Sequence, residues 1–547
     1  MKNYIKYLPL LALGLMGCEP EFDSGIEENE VYTQGEADFS TYVAVGNSLT
    51  AGFADNALYI QGQQNSYPNI LAGQFELVGG GEFSQPLMAD NLGGLLLNGN
   101  PILDAEGNNR FQNRLVLSSN EGNPVGPQPL AGDPQTEITN TLEGPFNNMG
   151  VPGAKSFHLL APGYGNVAGV STGQANPYFV RFASSPETTI LADATAQSPS
   201  FFSLWIGNND ILGFATSGGT GIDQTGNIDP LTYASNDISD PNVFAGAYSQ
   251  LIEGLTASAS GGVVYNIPDV TDIPFFTTVP TSPLDPTDPT FAAQIPTLNM
   301  VYGAINQVFL ALQQPNRVIE FSTDAASAVV IEDESLTDLS AQIEGALAPN
   351  PQFIQLVQSF GLPAAAAPQV AAVLGDTYGQ ARQAQPEDLI LLTSSSVIGN
   401  IDTNRVASLV AQGFPQEVAG QFSAQGITLP LADQFVLTTN EISLIDNARA
   451  SYNATIQGLA QANNLAFVDV DGLLQTVSQG VSFPGGIITS DFVTGGGFSL
   501  DGVHLTPRGY ALVANETLRA INRTYGSDLP EVNLGDYGTI TLSDDVN

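Results

Sequence analysis

Thr41-Tyr-Val-Ala-Val-Gly-Asn-Ser-Leu-Thr-Ala-Gly52 is an apolar, β-branched run that stops abruptly at Gly46-Asn47-Ser48 and then turns small and polar. Such a run ended by glycine reads as a buried strand entering a tight turn. In a parallel sheet the crevice outside the carboxyl ends of the strands is where ligands sit, which makes Ser48 a candidate exposed nucleophile. The competing reading is a plain β-turn, for which Gly-Asn-Ser is common punctuation. Partners elsewhere in the chain decide between them.

Phe201-Phe-Ser-Leu-Trp-Ile-Gly-Asn-Asn-Asp210 repeats the pattern, an apolar run halted by Gly207 and followed by polar residues. It is either a strand with an uneventful turn or a second edge of a site, with Asn209 as an amide donor. In the latter case Asp210 is structural. Asn148-Met-Gly-Val-Pro-Gly153-Ala-Lys-Ser precedes a run capable of helix. Its glycines leave backbone N–H groups free of side chains and able to approach an oxyanion, although an ordinary turn reads the same way. His158, just beyond, reads as a satisfied structural histidine. Asp501-Gly-Val-His504 stands on a turn before a helix. A carboxylate three residues before an imidazole can accept its Nδ1–H, fix the tautomer and stabilise the imidazolium. The alternative is a surface Asp-His ion pair.

The 547 residues exceed one ordinary domain, so two domains or one domain with long insertions is expected. Hydrophobic residues are 43% and charged ones 12%, a globular balance. Thirteen Lys and Arg face 55 Asp and Glu, a net charge of −42, which repels nucleic acid. Lys2, Lys6, the apolar stretch Tyr7 to Gly17 and Leu15-Met-Gly-Cys18 look like a bacterial lipoprotein signal, with Cys18 as the lipidation site. Export to an outer membrane and attachment to lipid through acylated Cys18 are expected. Which face of that membrane it occupies, and its oligomeric state, stay open. Cys18 is the only cysteine, so no internal disulfide forms.

Taken in order, 1–18 is the signal segment, 19–37 an acidic solvated tether, and 38–315 the first part of an α/β core with a loop excursion at 80–147. A largely helical insertion spans 316–440, 441–525 completes the core, and 526–547 is a tail. Tyr67 to Gly73 reads as a helix opened by Pro68, and Phe75-Glu-Leu-Val as a short extended piece. Val263-Val-Tyr reads as a strand, Asp269 and Asp272 as loop caps, and Pro283 to Pro289 as a stiff exposed linker. Asp104-Ala-Glu-Gly does not match a calcium loop. Within the insertion, 339–347, 351–360 and 368–374 have helical apolar spacing. Ile354, Leu356, Val357, Phe360, Leu362, Val370 and Val373 offer a face for capping the site, or else build an independent subdomain. Ser394 to Ser396 lack a Gly-x-Ser-x-Gly setting and read as structural. The stretch 441–462 is the cleanest amphipathic helix, and Leu465-Ala-Phe-Val-Asp restores a βαβ rhythm.

Together these stretches resemble the SGNH subgroup of the GDSL-type esterases and lipases. Gly46-Asn-Ser48-Leu matches the nucleophile block except that Asn47 replaces its Asp. Gly153, five residues beyond Asn148, matches the second block, Gly207-Asn-Asn209-Asp the third and Asp501-Gly-Val-His504 the last. Four short motifs in the family's order are far more specific than any one of them. The resemblance covers the catalytic edge and α/β core and leaves 80–147 and 316–440 unexplained. It implies a three-layer α/β/α sandwich with a flavodoxin-like, mostly parallel sheet. It also implies hydrolysis of a small-molecule or polymer-borne acyl ester, of lipid or carbohydrate. Ser48 is the nucleophile, His504 the base, Asp501 its orienting acid, and Ser48, Gly153 and Asn209 the oxyanion donors. No metal or organic cofactor is implied. The alternative is a non-catalytic, membrane-anchored binding or scaffold lipoprotein on the same fold.

Overall fold

The structure is a computed structural model and describes residues 32–104, 107–118 and 125–542. Cys18, the whole signal segment and most of the acidic segment fall outside these residues. Five runs that are buried along nearly their whole length build one sheet: β1 Tyr42–Gly46, β2 Asn148–Gly150, β3 Phe201–Trp205, β4 Gly261–Tyr265 and β5 Ala466–Val468. Their order is β5-β4-β3-β1-β2 and every pairing is parallel, with Val43 opposite Phe202 and Phe467 opposite Val264. Parallel strands covered on both faces read as continuous apolar runs, which is how β1, β3, β4 and β5 read in the sequence; Asn148–Gly150, read there as part of a loop, pairs with β1 as a short edge strand.

Alternate side chains of each strand enter different cores. Seven helices matter for them: α1 Ser48–Ala51, α2 Tyr67–Glu76, α3 Asn209–Thr216, α4 Pro241–Thr256, α5 Thr439–Ala462, α6 Val470–Gln479 and α7 Pro507–Tyr525. Val43, Val45, Phe202, Leu204 and Val264 pack with Ile211 of α3, Tyr248 of α4 and Tyr452 of α5. Tyr42, Ala44, Phe201, Trp205 and Tyr265 pack with Tyr67 and Phe75 of α2 and with Ala514 and Leu518 of α7. The chain is thus α/β, with a wholly parallel central sheet and flanking helices.

Four expectations need correction. Phe75-Glu-Leu-Val is not extended: Phe75 and Glu76 end α2, and Phe75 stacks on Phe39 with ring centroids 4.0 Å apart. Ile70, Leu71 and Phe75 continue one helical face, and the helix stops only before Gly79-Gly80. The helical insertion also begins earlier than 316. Its own apolar core runs from Leu284 to Val436 and includes Tyr302, Ile305 and Phe309 of the helix Ile295–Ala311. The proline-rich run before it is exposed as expected at Asp285, Thr287, Asp288 and Pro289, but it belongs to the insertion, because Leu284 is buried, its backbone is bonded to Ser327, and Pro289 opens a helix capped by Asp288. Third, the described end of the acidic segment is docked rather than solvated. The Thr33 N–H donates to Asp528, the Glu36 N–H to the Tyr525 carbonyl, and Ala37 is buried. Fourth, residues 526–542 are not a free tail, since Leu529 and Leu534 are buried and the Leu117 N–H donates to the Thr541 carbonyl.

Candidate active site

The sheet order reverses between β1 and β3: β2 lies to one side of β1, while β3 and its successors lie to the other. That switch point is where an open parallel sheet leaves a crevice at its carboxyl edge. Both turns at this edge carry the polar residues singled out in the sequence. Gly46 closes β1 because a Cβ there would come within 2.4 Å of the Trp205 carbonyl oxygen. Asn47 then caps α1, its Oδ1 accepting the Leu49 N–H at 3.0 Å, and its Nδ2 donates to Asn208 Oδ1 at 3.1 Å. A carboxylate at 47 could accept the first bond but not donate the second, so asparagine ties the β1 turn directly to the β3 turn. Ser48 is the first residue of α1, where its N–H has no intrahelical acceptor.

The Asp501 turn reaches this edge from the far end of the chain. His504 Nδ1 lies 2.8 Å from Asp501 Oδ2, and His504 Nε2 lies 2.9 Å from Ser48 Oγ. With its Nδ1–H donated to Asp501, the imidazole presents its Nε2 lone pair to the Ser48 hydroxyl. Asp501 accepts further hydrogen bonds from Asn56 N–H at Oδ2, and from Ser499 Oγ–H, Val503 N–H and His504 N–H at Oδ1. Burial alone would raise this carboxyl, but the charge and hydrogen bonds of His504 and the backbone N–H groups hold it far below the usual carboxylate range. It is therefore ionised across the physiological range. Phe53 packs on the imidazole at 4.6 Å, and the Tyr510 hydroxyl fixes Phe53 through its carbonyl at 2.6 Å.

Asn56, Ser499 and Asp55 are site residues that the sequence reading missed. Asp55 and Asn56 both have positive φ, 52° and 62°, and Ala54 pairs with Ala57 across them. Ala-Asp-Asn-Ala is a signal for such a tight turn, and it aims the Asn56 N–H at Asp501. Asp55 Oδ1 accepts the Leu500 N–H at 3.0 Å, and its own N–H donates to Ser499 Oγ at 2.9 Å.

On the other side of Ser48, the Asn209 side-chain amide donates to the Ala154 carbonyl at 2.9 Å. This bond uses one of its two N–H groups and leaves the second for a ligand. Gly153 has φ of +79°, which only glycine adopts freely, and the nearest atom a Cβ would meet is 4.0 Å away, at Asn176 Nδ2. Asp210 is wholly buried and anchors the loop, accepting from Ser156 N–H and Ser156 Oγ–H, each at 2.8 Å. Its burial raises the carboxyl. Ser48, Gly153, Asn209 and His504 line one cleft, with Arg110, Phe111 and Tyr178 at its sides.

A second, apolar cavity shares Ser48, Asn209 and His504 with that cleft. Leu474 and Val477 of α6, Leu512 and Val513 of α7, and Ile488 and Phe498 line it. The face offered by Ile354, Leu356, Val357, Phe360, Leu362, Val370 and Val373 contributes to neither space. These residues are consumed in the insertion's own core, so they do not cap the site. The excursion 80–147 is what approaches it, through Arg110 and Phe111.

The remaining candidates have structural roles. His158 Nδ1 accepts the Lys155 N–H at 3.0 Å and its ring stacks on Tyr164, and burial with the nearby Lys155 charge lowers its pKa to about 3. Asp269 caps the turn Val270–Asp272 and pairs with Arg449 at 3.1 Å. Ser394 to Ser396 lie in a 3₁₀ turn of the insertion and line neither space. The chain matches no protein-family model, no curated protein and no solved structure.

Proposed function

We propose that the protein is a serine ester hydrolase of the SGNH type, on a three-layer α/β/α sandwich with a flavodoxin-like sheet. The observation that carries this reading is the continuous hydrogen-bonded chain Asp501–His504–Ser48, assembled from residues 456 positions apart at the switch point of a parallel sheet. Ser48 Oγ attacks the ester carbonyl carbon while His504 Nε2 takes its proton, and the imidazolium returns that proton to the departing alkoxide. The negative oxygen of the tetrahedral intermediate is met by the N–H groups of Ser48 and Gly153 and the free amide N–H of Asn209. Water, activated by the same imidazole, then releases the acid from Ser48.

The apolar cavity beside Ser48 suits the acyl chain and the more polar cleft suits the alcohol. A p-nitrophenyl ester series from acetate to octanoate, with protein lacking residues 1–18, tests both statements. Turnover is expected throughout, with kcat/KM rising by up to about fourfold per methylene while the cavity fills. Val477→Trp is expected to abolish that rise and spare the acetate rate. Absence of turnover across the series, together with no labelling of Ser48 by a fluorophosphonate, would return the fold to a binding module.

We also propose that the protein is an outer-membrane lipoprotein held by acylated Cys18. Among the described residues, no single helix is long and apolar enough to cross a membrane. Cys18→Ser is expected to move the protein from the membrane pellet to the soluble fraction, because several acyl chains together anchor firmly and their loss leaves no equivalent. Retention of that variant in the pellet at high salt would refute the anchor.

A further inference from the structure

Away from Ser48, three carboxylates converge where the helical insertion meets α5. Glu334 follows the insertion strand Val330–Glu332, Asp433 opens the turn Asp433–Phe435 that leads back to the core, and Glu441 stands in the first turn of α5. One carboxylate oxygen of each lies within 4.8 Å of those of the other two. Glu441 is only 4% exposed. Its Oε2 accepts the Thr438 N–H at 2.6 Å and the Thr438 hydroxyl at 2.8 Å. Its Oε1 is buried with no hydrogen-bond partner. Gly219 lies so close to this oxygen that a Cβ there would come within 1.9 Å of it.

A buried carboxylate oxygen without a donor, beside two further carboxylates, is strongly unfavourable unless a cation meets it or the cluster takes up a proton. Burial and the like charge of Glu334 push the Asp433 carboxyl upward. Burial, with the charges of Glu334 and Asp433, does the same for Glu441. The first turn of α5 already supplies the positive end of a helix dipole, and it leaves Oε1 unsatisfied.

We propose that Glu334, Asp433 and Glu441 bind a calcium ion that clamps the helical insertion to the first turn of α5. The donor set is entirely oxygen, which selects a hard cation over zinc or copper. The chain has two histidines, one in the Ser48 site and the other bonded to Lys155, and its single cysteine is Cys18. Calcium accepts six to eight oxygens in flexible geometry and completes its shell with water, which suits carboxylates arriving from three separate segments. Magnesium demands a near-ideal octahedron. The site lies outside the ester-hydrolysing machinery, so the proposal stands apart from the function assigned to Ser48.

Calcium titration calorimetry on protein dialysed against EDTA, in a salt background that screens the acidic surface, tests this directly. The expected result is one saturable site and a thermal midpoint that rises with calcium. Asp433→Asn and Glu334→Gln are each expected to weaken binding by about tenfold or more. In EDTA both variants should unfold at or above the midpoint of the unaltered protein, because removing one of three like charges relieves repulsion. A purely structural role would give the opposite sign. Absence of saturable binding in the unaltered protein overturns the proposal. So does unchanged affinity in both variants, or a lower EDTA midpoint in both with no response to calcium, which would indicate a proton shared among the carboxylates.

Discussion

Ser48→Ala and His504→Ala are each expected to lower kcat for the proposed ester hydrolysis by about 10⁶-fold, with the double variant scarcely worse than either one. The expectation follows from geometry. Ser48 Oγ and His504 Nε2 are 2.9 Å apart, and neither has a catalytic use without the other. Without the hydroxyl there is no acyl-enzyme, and without the imidazole no group at hydrogen-bond distance takes the hydroxyl proton. The residual rate expected, about 10³ to 10⁴ over water, is what the proposed oxyanion donors and the apolar cavity would supply by themselves. Both substitutions remove side chains at the crevice edge, so the near-ultraviolet circular dichroism should be unchanged. Losses that add in log rate across the double-variant cycle would mean that the two residues act separately. Full turnover in Ser48→Ala would move the nucleophile elsewhere.

Much of the scaffold was legible because its signals are local. The runs at 42–46, 201–205 and 261–265 are continuous apolar segments closed by or beside glycine, and continuous burial is what a strand covered on both faces requires. The 439–462 helix announced itself through Ile445, Tyr452 and Ile456, all of which are buried. The Asp-x-x-His spacing was readable for a similar reason, since a short turn fixes the Asp501–His504 contact.

What escaped the sequence depends on contacts between distant segments. The Asn56 N–H on Asp501 joins residues 445 positions apart, and nothing around residue 56 advertises it beyond a tight turn. The apolar cavity is lined by Leu474, Ile488, Phe498 and Leu512, each of which reads locally as ordinary core. The insertion boundary was misplaced because Pro283 to Pro289 has linker composition, while Leu284 is held by the far side of the insertion at Ser327. Tertiary pairing outweighed composition there.

Asp501→Asn should lower kcat by about 10⁴-fold with little change in KM, the loss expected when the imidazole is held in the wrong tautomer. The carboxylate accepts three hydrogen bonds at Oδ1 and two at Oδ2, and all five partners are donors. An amide NH₂ in the Oδ2 position faces the Asn56 N–H and drives His504 to place its proton on Nε2, where it blocks the Ser48 hydroxyl. Flipped, the amide confronts three donors at Oδ1 instead. Either way a buried donor is left unpaired at a cost of about 1–3 kcal/mol, so the thermal midpoint should fall along with the rate. The sign of the pH dependence follows from the depressed Asp501 carboxyl. Its contribution to stability is complete above its unfolded pKa of about 3.9 and is lost as pH falls below that value towards the lower folded one. Measured from about pH 3 to 8, the stability gap between the unaltered protein and Asp501→Asn should therefore narrow below about pH 4. Chemical denaturation across that range, with kcat measured at pH 7, checks both parts. A variant with normal kcat would remove Asp501 from the catalytic chain, and a gap that widened in acid would show that the carboxylate is not held ionised by its donors.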